Sequence, residues 1–383
     1  VREYLLVLFV AAATTYLLGG LVRRAAARLG AVTAIRDRDV HSAPIPRLGG
    51  LAILGGVSAA FIVATNLPFL GALPEVSGDA WAILLAGFVI ALVGALDDLV
   101  DLDGITKLAG MVVAAGIVVV FGVQLNWLPL PDGTTFSLSP SLGAAVTALA
   151  IVVGAVAVNS VDGLDGLAAG VACIGAAAFF SYSYLLAIQY GLNRATTSTL
   201  ITAAVTGACL GFLPHNFFPA RVFMGDSGAY LIGLMLATST ISLTGYLDAS
   251  ALPVDGQRPN LLPALLPLIL PIAVLALPFA DLVMAIGRRV LAGKSPFDAD
   301  RRHLHHRVHF ELGHSHKAAV LILYMWAGVV AFGVVALGLW PTLVTVGGVG
   351  GAIVLAVLVT VLLPRRRLPA KLAALAPSRA KSS

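Results

Sequence analysis

Charge is what this chain has least of. Only 11% of its 383 residues are Asp, Glu, Lys or Arg, and 59% are hydrophobic, where an average soluble domain carries about 25% charged residues. Too few polar side chains remain to cover a water-exposed surface, which excludes a soluble fold. Cysteine is nearly absent as well. Cys173 and Cys209 each lie inside an apolar run, and that excludes a disulfide framework or a Cys-based metal site. No low-complexity stretch or soluble-sized insertion interrupts the chain. One membrane domain is therefore expected over residues 1–363, followed by a basic tail over 364–383. The first apolar run has no small-residue cleavage site of the secretory type and is long enough to stay as an anchor.

What the chain does have is apolar runs of membrane-crossing length, about 17–25 residues for a hydrocarbon core of roughly 30 Å. Eleven are expected, near 4–21, 48–65, 80–96, 108–123, 142–158, 167–188, 197–214, 228–244, 261–287, 318–339 and 343–363. Ten is the alternative, if the short connection at Trp340 and Pro341 belongs to a re-entrant pair. Helix is the expected element, because a spanning backbone must satisfy its own hydrogen bonds and these runs lack the alternation of a barrel. The fold class is thus an all-α, polytopic membrane bundle. Basic residues favour the cytoplasmic side, and 21 of the 24 fall on alternate loops if the N-terminus is outside, leaving Arg2, Arg194 and Arg258 on the other face. The C-terminus is then cytoplasmic. The net charge of +5 reads as membrane topology, and no nucleic-acid partner is expected.

The loops of the basic face also gather Asp, Asn, His and Gly. The first holds Pro44, Pro46, Arg47, Gly49 and Gly50, an extended entry with a cation for phosphate and two positions that admit close approach. The second holds Asp97, Asp98, Asp101 and Asp103 with Lys107. Four carboxylates in seven residues repel one another unless neutralised, and such a cluster suits Mg²⁺, which takes one or two carboxylates and completes its shell with water and phosphate. Asp101 and Asp103 fit helix capping better than Asp97 and Asp98, which lie at the membrane edge. The third loop runs from Asn159 to Gly166. If helical, its spacing sets Asn159, Asp162 and Asp165 on one face. The fourth contains His215, Asn216, Arg221, Phe223, Gly225, Asp226 and Ser227. A carboxylate at the start of a span can meet a metal while the helix amides meet phosphate, and Phe223 can stack on a base. The fifth carries Asp298, Asp300, His303, His305, His306 and Arg307, donors for phosphate oxygens without the glutamate of a zinc-protease motif. Every cluster falls on the face that the Lys/Arg distribution marks as cytoplasmic. Midplane charge, the mark of an ion pathway, is nearly absent.

Five motifs, Pro44–Gly50 (PIPRLGG), Asp97-Asp98, Asn159–Gly166 (NSVDGLDG), Phe223–Gly228 (FMGDSG) and Ser295–Arg307 (SPFDADRRHLHHR), resemble in order those of the polyprenyl-phosphate N-acetylhexosamine-1-phosphate transferases, within glycosyltransferase family 4. Phospho-MurNAc-pentapeptide translocase is a more distant likeness. The resemblance implies a multi-pass enzyme of the cell membrane with its site on the cytoplasmic face. It would transfer N-acetylglucosamine-1-phosphate from a UDP-sugar to polyprenyl phosphate, undecaprenyl or decaprenyl, and so start a cell-envelope polysaccharide. It implies Mg²⁺, with Mn²⁺ as a possible substitute. By position, Asp226 and Asp98 are the implied metal ligands, and Asp97, Asp98, Asp226, His305 and His306 the implied catalytic set. Arg47, Asn159, Asp162, Asp165, Asn216, Phe223, His303 and Arg307 are the implied substrate contacts. Membrane lipids and a second copy of the chain are the other expected partners. His215 departs from the family pattern, which has an apolar residue before Asn216, and is expected to alter the pocket edge.

Two alternatives accompany this reading. One is phospho-MurNAc-pentapeptide transfer, against which the PIPRLGG and HLHHR forms argue. The other is a secondary transporter, whose coupling carboxylates should lie in broken helices near the midplane. A third likeness, Asp162-Gly-Leu-Asp165-Gly to the CDP-alcohol phosphotransferases, fails because Ala168-Ala169 follows and the later aspartate pair is missing.

Overall fold

The computed structural model describes residues 1–32, 44–130, 135–189, 193–245, 315–340 and 342–362, with isolated positions between 254 and 287. Among them run ten helices: α1 (Arg2–Arg28), α2 (Gly49–Ala64), α3 (Pro74–Val100), α4 (Gly104–Val120), α5 (Pro140–Val161), α6 (Leu167–Gln189), α7 (Asn193–Asn216), α8 (Gly225–Thr244), α9 (His316–Leu339) and α10 (Leu343–Leu362). Eight are long and apolar enough to cross a membrane; α2 and α4 are apolar but only 16 and 17 residues long, about 24–26 Å at 1.5 Å per residue. The chain is an all-α membrane protein. The expected span over 261–287 lies almost wholly outside the described residues.

The helix ends follow local chemistry. Ser139 caps α5 by accepting from the Leu142 amide at 3.4 Å, with Pro140 in the first turn. Ser315 caps α9 through the Ala318 amide at 3.3 Å. The capping expected of Asp103 is present: its carboxylate accepts from the Ile105 and Thr106 amides at 3.1 and 3.3 Å and opens α4. Hydrogen bonds from the Thr106 hydroxyl and amide hold that carboxyl below the usual range. Asp101 adopts a left-handed conformation (φ 55°) and ends α3. Two short antiparallel pairs, β1 (Trp127–Pro129) with β2 (Thr135–Ser137) and β3 (Val254–Asp255) with β4 (Arg258–Pro259), occupy connections that the sequence reads only as loops.

Helix α8 is the axis of the bundle. Nearly all its residues are buried, and it packs against α2, α3, α5 and α7. Helices α1 and α6 pack on α7 and α9 packs on α6, while α10 leans chiefly on α9 and leaves most of its apolar surface exposed. Where α8 starts, two other helices come close enough to exclude side chains. A Cβ on Gly50 would overlap the backbone at Gly228, and one on Gly94 would overlap the backbone at Asp226 and Ser227. The start of α2 and the end of α3 are thereby pressed against the first turn of α8.

Candidate active site

That close approach brings three of the sequence motifs together. The loop before α2 is stitched to the loop before α8 by main-chain bonds: the Phe223 amide donates to the Pro46 carbonyl at 2.8 Å, and the Gly49 and Gly50 amides donate to the Phe223 and Met224 carbonyls at 3.0 and 2.9 Å. Leu48, at φ 73°, turns the chain so that this pairing and the start of α2 both fit.

Asp98 secures the third element. Its carboxylate accepts from the Asp226 amide at 3.1 Å, and from the Ser227 amide and hydroxyl at 3.3 and 3.2 Å. The end of α3 therefore caps the N-terminus of α8, where four amides would otherwise lack partners. Gly225, at φ 72°, lies so close that a Cβ would strike the Asp98 carboxylate. Arg47 exerts its charge on both Asp98 and Asp162.

Asp97 turns the other way. It is buried, accepts from the Leu102 amide at 2.8 Å and pairs with the Lys107 ammonium at 2.7 Å. Its carboxyl also lies within hydrogen-bonding reach of the Asp226 carboxyl. Asp226 is held on its second side by the Tyr230 hydroxyl, which donates to Oδ2 at 3.0 Å. Two carboxylates in contact are stable only with a proton or a cation between them.

The third loop lies between the expected runs 142–158 and 167–188, and the helical condition on its spacing is not met. Helix α5 ends at Val161, and Asp162 to Gly166 form a turn in which Gly166 takes φ 79°. Glycines at 163 and 166 favour the turn over a continued helix, so Asn159, Asp162 and Asp165 do not share one helical face. Asp165 is buried and accepts from the Ala220 amide at 2.9 Å. Asn216, also buried, accepts from the Gly166 amide and donates to the Val222 carbonyl, both at 3.0 Å. Both residues tie the third and fourth loops to each other. Tyr324, from α9, adds a hydroxyl bond to the Gly166 carbonyl. Asp162 is left half-buried with the Gly225 amide and Arg47 on one side and the charges of Asp98 and Asp165 on the other. Burial, then those two carboxylates, push its pKa up to about 7. Asn159, on the last turn of α5, is also half-buried; its carbonyl accepts from the Asp162 amide at 3.2 Å.

Arg47, Asp97, Asp98, Asp162 and Asp226 thus converge where α2, α3, α5 and α8 begin or end, with Phe223 half-buried beside them. His303, His305, His306 and Arg307 lie outside the described residues. His215 does not join the cluster: its Nε2 lies 2.8 Å from the Tyr16 carbonyl and its ring lies 5.0 Å from that of Tyr16, so it fastens α7 to α1. Lys107, Tyr230 and Tyr324 were not singled out as site residues by the sequence. For Tyr230 the signal was present, since it stands four residues after Asp226 on one helix, the spacing of facing side chains.

Comparison with known proteins fits this geometry. Residues 80–244, which include all four of these aspartates, match the model of glycosyl transferase family 4. The chain is 43% identical to decaprenyl-phosphate N-acetylglucosaminephosphotransferase of Mycobacterium leprae, over 96% of this chain and 92% of the relative. It is 41% identical to the enzyme of the same description from Mycolicibacterium smegmatis, over 96% and 90% of the two chains. A probable undecaprenyl-phosphate N-acetylglucosaminyl 1-phosphate transferase of Bacillus subtilis is 32% identical over 82% of this chain and 78% of its own. The chain belongs to glycosyl transferase family 4.

Proposed function

We propose that this protein transfers N-acetylglucosamine-1-phosphate from UDP-N-acetylglucosamine to a polyprenyl phosphate, giving polyprenyl-diphosphate-N-acetylglucosamine and UMP. The observation that carries the reading is the convergence of Asp97, Asp98, Asp162 and Asp226 with Arg47 around the first turn of α8. The relatives' descriptions supply the substrate class, and the mycobacterial ones favour decaprenyl phosphate as acceptor. The Lys/Arg distribution supports eleven spans, an outside N-terminus and a site on the cytoplasmic face of the cell membrane, where UDP-sugars are available.

A divalent cation fits the donor set. Asp226 and Asp97 face each other with oxygen atoms only, the ligand chemistry that Mg²⁺ prefers. Asp226 is the proposed common ligand. Asp98, which accepts the Asp226 amide, and Asp97, whose carboxyl lies within hydrogen-bonding reach of the Asp226 carboxyl, are the candidate companions. Mg²⁺ bound there would neutralise charge that develops on the leaving UMP phosphate.

In the proposed reaction an oxygen of the lipid phosphate attacks the β-phosphorus of the UDP-sugar. The bond from that phosphorus to the bridging oxygen breaks, and the electron pair leaves on UMP. A phosphate monoester has its second pKa near 6, so the attacking oxygen is already ionised at neutral pH and direct attack needs no general base. Arg47, whose charge reaches Asp98 and Asp162, is proposed to address phosphate oxygens, and Phe223 to cover the base. His303, His305, His306 and Arg307 are proposed to hold the donor diphosphate or sugar.

The test uses purified protein, Mg²⁺, decaprenyl phosphate and radiolabelled UDP-N-acetylglucosamine. A labelled lipid and UMP in equal amounts are expected, with an Asp226→Ala variant reduced to background. Full activity of that variant, or absence of product with any UDP-N-acetylhexosamine, would falsify the assignment. Phosphate trapped on Asp97 or Asp98 in a single turnover would replace direct attack by a two-step route.

A further inference from the structure

We propose that Tyr230 is a positioning residue that aims the free oxygen of Asp226 at the cation. The inference rests on the metal reading above. Tyr230 stands one turn beyond Asp226 on α8, its ring is buried in the bundle core, and its hydroxyl donates to Asp226 Oδ2 at 3.0 Å.

A carboxylate at the start of a helix is free to swing about its last side-chain bond, a torsion with broad wells. At Asp226 that freedom is removed from two directions. The main chain is held by Asp98, which accepts the Asp226 amide at 3.1 Å, and the side chain is held by Tyr230. With Tyr230 bonded to Oδ2, Oδ1 is turned away from that hydroxyl, and the carboxyl as a whole lies within hydrogen-bonding reach of Asp97.

The chemistry of the donor matters as much as its place. Asp97 is paired with an ammonium, Lys107, at 2.7 Å, so much of its charge is already balanced. Tyr230 gives Asp226 a neutral hydroxyl. A neutral donor orients a carboxylate without cancelling its charge, and that charge is what attracts a divalent ion. Partners of this kind, bonded to a ligand and not to the metal, typically change metal affinity or activity 10- to 100-fold when removed.

The opposite reading is that Asp226 merely supplies an acceptor for a buried tyrosine hydroxyl. Tyr230→Phe separates the two, since it keeps the ring and removes the hydroxyl. Mn²⁺ binding to the full-length protein in detergent, followed by electron paramagnetic resonance without substrate, is the direct readout. The dissociation constant is expected to rise about 10-fold or more. In the assay the apparent KM for Mg²⁺ should rise with it, while kcat at saturating Mg²⁺ recovers most of the wild-type value. Tyr230→Leu, a second variant without the hydroxyl, should weaken Mn²⁺ in the same sense, which covers the case in which one variant folds poorly. Wild-type Mn²⁺ affinity in both variants overturns the inference, even if their melting temperatures fall. Asp226→Asn calibrates the premise: it should abolish the Mn²⁺ signal. A wild-type protein with no Asp226-dependent Mn²⁺ site would overturn the metal reading itself, an outcome distinct from a Tyr230 variant that binds normally.

Discussion

Asp162 occupies a contested position among the carboxylates. Burial and the charges of Asp98 and Asp165 raise its pKa from the ordinary carboxylate value to about 7, while the Gly225 amide and Arg47 oppose them. Between about pH 4 and pH 7 the unfolded chain has released this proton and the folded chain keeps it, so stability falls as pH rises through that window and levels off above it. In Asp162→Asn the group no longer titrates. The melting temperature of the wild-type protein, in detergent with EDTA, should therefore fall more between pH 5 and pH 8 than that of Asp162→Asn. An equal fall in both would remove the proton from Asp162. The sequence presents Asp162 as a site candidate, but its electrostatics depend on Asp98, 64 positions earlier, and on Arg47, which only the packed bundle sets nearby. Asp165 and Asn216 show the same limit. Their polarity marks them, yet each bonds a main-chain amide of the facing loop: Ala220 for Asp165 and Gly166 for Asn216.

At the scale of elements, the site depends on three helix ends meeting without side chains between them. Gly50 on α2 and Gly94 on α3 both face the first turn of α8. A methyl at Gly50 would meet backbone atoms, which cannot rotate away, so the helices must separate. Gly50→Ala is expected to cost roughly 3 kcal/mol, at the upper end of what overpacking usually costs, and to lower activity more than 10-fold by loosening the Asp98 cap. Thermal melting together with the lipid-transfer assay checks this, and wild-type stability would show that α2 can move away. The sequence displays the glycine pair but not its partner, since Gly228 is 178 residues further on. The helices themselves were legible: each of the ten described helices coincides with an expected apolar run. Their ends were less so. The run expected over 80–96 extends as α3 to Val100 and carries Asp97 and Asp98 within it, and the run expected over 142–158 extends as α5 to Val161 before the turn at Asp162–Gly166.

For the whole molecule, orientation in the membrane remains open to a direct experiment. Cys173 and Cys209 are buried, so a single introduced cysteine can be labelled against a low background. With the N-terminus outside, an Asn66→Cys variant, between α2 and α3, should react with an impermeant maleimide in intact cells. A Gly104→Cys variant, at the opposite end of α3, should react only after the membrane is opened. The reverse pattern would invert the topology and put the carboxylate cluster on the outer face.

The sequence by itself determined that this chain lives in a membrane, roughly where its helices run, and which polar motifs stand at their ends, because hydrophobic length and local residue type are properties of contiguous segments. Only the tertiary structure decided how the carboxylates divide their work: Asp98 on the amides of α8, Asp97 on Lys107, Asp226 between Asp97 and Tyr230. The physical reason is distance along the chain. Neighbouring aspartates such as Asp97 and Asp98 are nearly equivalent in sequence, and what separates them is which distant helix each one meets when α3 packs against α8.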